Sequence, residues 1–138
     1  MNNRTFAIIK PDAVKNKYTG KIYNHILESN FNICAAKLIK MSKSQAENFY
    51  LIHKDKPFYS ELVEFMSSSK SMILVLEKEN AVDEWRNTIG ATNPEDAKKG
   101  TIRHLYATSL SENAVHGSDS NINAKKEIAF FFNDSELI

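Results

Sequence analysis

Cysteine is almost absent from this 138-residue chain, and glycine, proline and arginine are scarce. A single cysteine, Cys34, excludes an internal disulfide; with no secretion signal and no apolar run of bilayer length, the expected compartment is a reducing cytoplasm. Cys34 lies in "FNICAAKL" among small apolar neighbours and reads as a core residue rather than a reactive thiol. Four glycines and three prolines leave no flexible linker, so residues 1–138 are expected to form one domain. Neither G-x-x-x-x-G-K-[ST] nor G-x-G-x-x-G occurs, which excludes a glycine-rich backbone cradle; any phosphate must be held by side chains. There is no C-x-x-C and no H-E-x-x-H, and the four histidines (25, 53, 104 and 116) are too dispersed to suggest a metal set. A net charge of +1 gives no general field for nucleic acid or an anionic membrane, so neither partner is expected.

What is present is a repeating order of strands and helices. In "RTFAIIKPD" the alternation puts Phe6, Ile8 and Lys10 on one face of a strand and Thr5, Ala7 and Ile9 on the other, with Pro11 ending the ladder. "TGKIYNHILESN" carries Ile22, Ile26 and Leu27 at helical spacing, and "FNICAAKLIKM" reads as a second strand. Two short helices should follow: one opened by a capping box at Ser44 and Glu47, one starting at Pro57 with Phe58, Leu62 and Phe65 along a stripe. "SMILVLEK" is a buried-type strand, and "NAVDEWRNTIG" a helix with Asn80 as N-cap and Gly90 at its C-terminal end. Residues 91–112 show no sustained period, and connections of that length are usually functional. "NAVHG" then suits an edge strand, and "SDSNINAKKEIAFFF" a helix opened by Ser/Asp caps. The order predicts an α+β fold of the ferredoxin-like split β-α-β kind, an antiparallel sheet with helices packed on it.

Chemistry concentrates around "NAVHGSDS". A glycine after His116 frees the backbone for close approach of a ligand, and the following helix N-terminus favours anions. Glu127, eleven residues on, sits where a strand-turn-helix return brings a carboxylate back to the imidazole, fixing its tautomer and leaving the other nitrogen nucleophilic. Taken singly, His116 also reads as a turn residue and Glu127 as a solvent-facing charge beside Lys125 and Lys126. Arg86 and Arg103 stand out in a chain that otherwise uses lysine, and their planar forks suit bidentate phosphate contacts; the plainer reading of each is a surface ion pair.

"AIIKPDAV", "FYLIHKDKPF", "LVEFM", "GATNP", "GTIR" and "NAVHGSDS" followed by "EIAFFF" occur in the order and spacing of the nucleoside diphosphate kinases, and the chain resembles that family from Arg4 to about Phe132. The resemblance implies ping-pong transfer of a γ-phosphoryl group from a nucleoside triphosphate to a nucleoside diphosphate through phosphohistidine. It makes His116 the nucleophile, through Nδ1, with Glu127 and Ser118 orienting the ring. Lys10 would reach both the sugar 3′-hydroxyl and the moving phosphate. Tyr50 matches a tyrosine near the γ-phosphate, with core packing against Phe49 as its other reading. Arg86, Thr92 and Arg103 match the phosphate-binding set, Asn113 a sugar contact, and Phe58, with Leu62 and Leu110, the slot in which any base stacks. Gly117 belongs to the same binding stretch. Mg²⁺ would enter chelated by the nucleotide phosphates, with Asp119 either touching it through water or capping the last helix.

Departures from the family pattern are Ser69-Lys70, Trp85, Lys99 and His104-Leu105, which bear on loops and subunit contacts rather than on groups that touch substrate. A homo-oligomer, tetramer or hexamer, is implied, and the chain stops soon after the last helix, without an extension that some members use to brace neighbours. A phosphohistidine carrier fed by a protein partner would leave Lys10, Phe58 and Asn113 idle, and a nucleic-acid-binding module of this fold would need strand aromatics clustered beside Lys and Arg.

Overall fold

The computed structural model describes residues 3–138; residues 1 and 2, which the expected domain includes, lie outside the described residues. Strand β1 (Arg4–Ile9) is central, and its alternation is the one expected from sequence. Phe6 and Ile8 enter one apolar cluster with Ile73 and Val75, whereas Ala7 and Ile9 enter a second with Leu74 and Leu76. All four β1 side chains are fully buried, so both faces of the sheet must be covered.

The covering elements follow from where apolar residues fall. Helix α1 (Pro11–Lys15) starts at Pro11, so this proline opens a helix as well as ending the ladder; its fixed φ suits a first helical position. Helix α2 (Thr19–Glu28) buries Ile22 and Ile26, four residues apart, but leaves Leu27 half exposed, because one further residue rotates the side chain off that face. Strand β2 (Asn32–Lys40) carries an irregularity around Cys34, which is buried as expected. Helix α3 (Lys43–Phe49) is opened by a capping box at Ser42 and Gln45, not Ser44 and Glu47. Ser42 is still extended, so its Oγ accepts from Gln45 N at 3.0 Å while Gln45 Oε1 accepts from Ser42 N at 2.9 Å.

After a 3₁₀ turn (Leu51–His53), helix α4 (Tyr59–Ser67) begins two residues later than Pro57. Its core-facing residues are Val63 and Met66; Leu62 and Phe65 are only partly buried and Phe58 is half exposed, so the expected stripe belongs to a cavity wall. The Tyr59 hydroxyl donates to the Glu47 carbonyl at 2.8 Å and ties the two helices together. Strand β3 (Lys70–Glu77) leads to helix α5 (Ala81–Ile89). Asn80 stands at its N-cap in a left-handed conformation, φ 54°, without a side-chain cap bond. Gly90 ends the helix at φ 89°, where a Cβ would lie 2.6 Å from Thr101 Oγ1, so no side chain fits.

Within the stretch expected to lack regular structure lie a 3₁₀ turn (Pro94–Asp96) and a short helix, α6 (Ile102–Tyr106). Strand β4 (Val115–Gly117) and helix α7 (Asn121–Phe131) complete the order, with Ser120 as the N-cap of α7. The sheet runs β2-β3-β1-β4 with every neighbouring pair antiparallel. This is the ferredoxin-like α+β arrangement read from the sequence. Residues of α2, α5 and α6 pack on the Ala7/Ile9 face, and residues of α3 and α4, with Phe132 after α7, on the Phe6/Ile8 face.

Candidate active site

Pairing in register places His116 of the edge strand β4 opposite Ile8, so its ring shares the Phe6/Ile8 face of the sheet. Phe6, Phe49 and Tyr50 surround the imidazole edge-on, at centroid distances of 6.1, 5.6 and 6.3 Å. Helix α7 turns back over this face and sets Glu127 Oε1 at 2.9 Å from His116 Nε2. The same carboxylate oxygen accepts from Ser118 Oγ at 2.8 Å. A carboxylate only accepts, so in the neutral imidazole Nε2 carries the hydrogen and Nδ1 keeps its lone pair.

The turn before β4 gathers the other polar groups. Buried Lys10 donates from Nζ to Asn113 Oδ1 at 2.8 Å, and Asn113 Nδ2 donates to the Thr92 carbonyl at 3.2 Å. Arg103, also buried, donates to the carbonyls of Gly90 at 3.0 Å, Val115 at 2.9 Å and Asn113 at 3.4 Å. Ala114 stands at φ 72°, a conformation costly for a residue with a Cβ. It is held there by Asp12 Oδ2, which accepts from Ala114 N at 3.0 Å, and by Lys10 N, which donates to Ala114 O at 2.8 Å.

Burial with incomplete compensation sets the electrostatics. Desolvation, reinforced by the Arg103 charge, lowers the Lys10 ammonium to about 8 despite Asp12 nearby. Desolvation and the neighbouring Arg86 lower the Arg103 guanidinium to about 10, and burial raises the Asp12 carboxyl. Cations held this way gain from an anionic ligand that supplies the missing countercharge. A pH prediction follows for any reaction that needs cationic Lys10. In free enzyme the ammonium is lost as pH rises through about 8, so kcat/KM should fall above that pH. Bound phosphate raises the Lys10 pKa, so the limb in kcat should lie at higher pH; pH-rate profiles with a Lys10→Met comparison, which should lack the limb, check this.

A cavity of about 1250 Å³ opens over these groups. Lys10, Tyr50, Thr92, Arg103, Asn113, His116, Gly117 and Glu127 line it, with Phe58, Leu62 and Leu110 providing apolar wall. Phe58 and Leu110 are 49% and 60% exposed, so both remain accessible to a ligand. Arg86 is not on this wall: it borders a smaller hollow of about 670 Å³ that shares Thr92, Arg103, His116 and Gly117 with the first. Ser118 is fully buried behind Glu127. Tyr50 packs edge-on to Phe49 at 4.9 Å, as its packing reading expects, and also lines the cavity; its hydroxyl has no described partner, and burial pushes the phenol up. Gly117 lines both hollows, and a Cβ there would meet Trp85 Cδ1 at 2.8 Å, so the indole is a second reason for glycine that the sequence did not suggest.

Sequence reasoning passed over Asp12, although it directly follows Lys10-Pro11, and over Asn123, Lys126 and Phe130 on α7. With Glu127, these three fall at i, i+3, i+4 and i+7, one face of a helix, a period that could have found them. Among the described residues no group of three or more His, Cys, Asp or Glu is placed to hold a metal, and no helix is long and apolar enough to cross a membrane.

Fold and cavity together present an oriented imidazole and anchored cations, without a glycine-rich phosphate loop. The family model described as nucleoside diphosphate kinase matches residues 3–137. A nucleoside diphosphate kinase of Wolbachia sp. subsp. Drosophila simulans (strain wRi) is 56% identical over 135 residues, 98% of this chain and 97% of that one. The crystal structure of the Aquifex aeolicus nucleoside diphosphate kinase superposes with a TM-score of 0.96 at 40% identity, covering 99% of both chains. The structure of a halophilic nucleoside diphosphate kinase from Halobacterium salinarum, in complex with CDP, gives a TM-score of 0.94 at 35% identity, covering 100% of this chain and 92% of that one. The chain belongs to the nucleoside diphosphate kinase family. Its activity is the family's: the γ-phosphoryl group of a nucleoside triphosphate passes to a nucleoside diphosphate through a phosphohistidine.

Proposed function

We propose that His116 is the phosphoryl carrier and that the residues around the cavity divide the work of two half-reactions. In the first, the Nδ1 lone pair attacks the γ-phosphorus, an N–P bond forms, and the P–O bond to the leaving diphosphate breaks with its electron pair on oxygen. In the second, a terminal oxygen of the acceptor diphosphate attacks the same phosphorus and the N–P bond breaks. The observation that carries this reading is the 2.9 Å contact between His116 Nε2 and Glu127, itself held by Ser118, which turns Nδ1 away from the carboxylate. As Nδ1 takes up phosphorus the ring becomes cationic, and the carboxylate at Nε2 stabilises it.

Lys10, Arg103, Arg86 and Thr92 hold phosphate oxygens in this reading, with Tyr50 beside the transferring group. Lys10 and Asn113 face the sugar, and their mutual hydrogen bond opens towards it when nucleotide arrives. Phe58, half exposed with Leu62 and Leu110 nearby on the cavity wall, stacks on the base without discriminating among bases. The donor set fits Mg²⁺ carried on the phosphates rather than bound to protein, since cations face the cavity and no carboxylate cluster does among the described residues. Asp119, on the cavity wall and held low by hydrogen bonds from Asn123 and Ser120, is the residue that would meet such an ion through water. Bound there, Mg²⁺ supplies neutralisation of phosphate charge.

The chain is proposed to work as a single domain in a cytoplasmic homo-oligomer, tetramer or hexamer. Leu38, half exposed on edge strand β2, and Leu105, half exposed on α6, are surfaces that association would cover. Initial rates with ATP as donor and dTDP as acceptor should give parallel double-reciprocal lines, the pattern of a covalent intermediate; converging lines would require both nucleotides on the enzyme together.

A further inference from the structure

We propose that Trp85, the sole tryptophan of the chain, is a positioning residue that holds the His116 peptide from the opposite face of the sheet; this rests on His116 being the phosphoryl carrier. Strand β4 is only 3 residues long and lies at the sheet edge, so its ladder with β1 fixes it weakly. Side chains from other elements take up its backbone: Arg103 donates to the Val115 carbonyl at 2.9 Å, and Trp85 Nε1 donates to the His116 carbonyl at 3.1 Å.

The indole has little freedom to retreat from that contact. Trp85 is fully buried on α5, stands edge-on to Phe31 at 5.7 Å and 87°, and fills the space where a Gly117 Cβ would lie 2.8 Å from its Cδ1 and 3.1 Å from Nε1. It belongs to the Ala7/Ile9 cluster, whereas the His116 ring faces Phe6 on the other side of the sheet. The carrier is therefore gripped twice. Glu127 holds the ring by one nitrogen, which still permits tilting about that bond, and Trp85 holds the peptide from which the ring projects. In-line transfer tolerates little tilt, because a displacement of about 1 Å can cost roughly a hundredfold in rate. Trp85 itself reaches neither cavity, so its contribution should appear in the chemical step and not in nucleotide affinity.

The test compares three proteins in single-turnover phosphorylation by ATP-Mg²⁺: the natural chain, Trp85→Phe, and a chain whose lone tryptophan is replaced biosynthetically by β-(3-benzothienyl)alanine. The last keeps the shape and substitutes sulfur for the N–H donor, so it decides the matter even if Trp85→Phe folds poorly. Both should phosphorylate about tenfold more slowly at saturating ATP, with the nucleotide Kd within about twofold of the natural chain. The single indole N–H resonance of the natural protein should shift when His116 is phosphorylated, and slowed phosphorylation beside an unchanged Kd is the split that a merely structural tryptophan would not produce. Unchanged rates in both variants, or a slow Trp85→Phe beside a benzothienyl chain of natural rate, would overturn the proposal. Absence of any phosphorylation in the natural chain would instead remove the carrier role of His116, and this inference with it.

Discussion

His116→Gln should leave no measurable transfer from ATP to GDP while nucleotide binding stays close to that of the natural enzyme. Gln retains a polar group that can meet Glu127, now 2.9 Å from the imidazole, so the local structure should survive. What it lacks is a nucleophilic nitrogen, since an amide lone pair is delocalised into the carbonyl. Loss of a covalent carrier removes the pathway rather than slowing it, and the expected fall is on the order of 10⁵ or more. Steady-state turnover together with calorimetric titration of ADP checks both halves. Turnover within tenfold of the natural enzyme would rule out His116 as carrier.

The two arginines should separate rate from stability. Arg86 is exposed on α5 and its side chain makes no hydrogen bond or ion pair among the described residues, yet it borders the hollow beside His116. Arg86→Ala should therefore cost on the order of a hundredfold in kcat while the denaturant midpoint barely moves. Arg103 is buried and donates to three carbonyls, those of Gly90, Asn113 and Val115. Its removal strips charged donors from buried acceptors around β4, so Arg103→Ala should lose several kcal/mol of stability, about 3, in addition to activity. Equal effects of the two substitutions on the midpoint would show that Arg103 does not anchor the turn before β4. Urea unfolding of both variants is the measurement.

Much of this was legible from residues alone, for identifiable reasons. The β1 reading survived because a short apolar run bounded by Pro11 fits a strand buried on both faces, whose pleat then assigns alternate residues to opposite sides, and Gly90 because only glycine fits its φ and its approach to Thr101. Short helices were less visible. α1 and α6 have 5 residues each, too few for a 3.6-residue period to declare itself, and Pro11 reads equally as a strand terminator and a helix opener. Leu62 and Phe65 were indistinguishable from core in sequence, because a cavity wall and a core face carry the same apolar spacing; only the burial of Val63 and Met66 tells which side of α4 is inside. Trp85 could be seen as an unusual residue, but its hydrogen bond to His116 joins α5 to β4 across 31 residues of sequence, a contact that local reasoning cannot reach.

Mixing the protein with ATP and Mg²⁺ without acceptor, measuring intact mass at alkaline pH, and then adding GDP tests the reaction most directly. The chain should gain the mass of one phosphoryl group, located at His116 by fragmentation, and lose it to GDP with stoichiometric formation of GTP. A chain that gains no phosphoryl group while GTP still accumulates, or one phosphorylated at a residue other than His116, would contradict transfer through this imidazole.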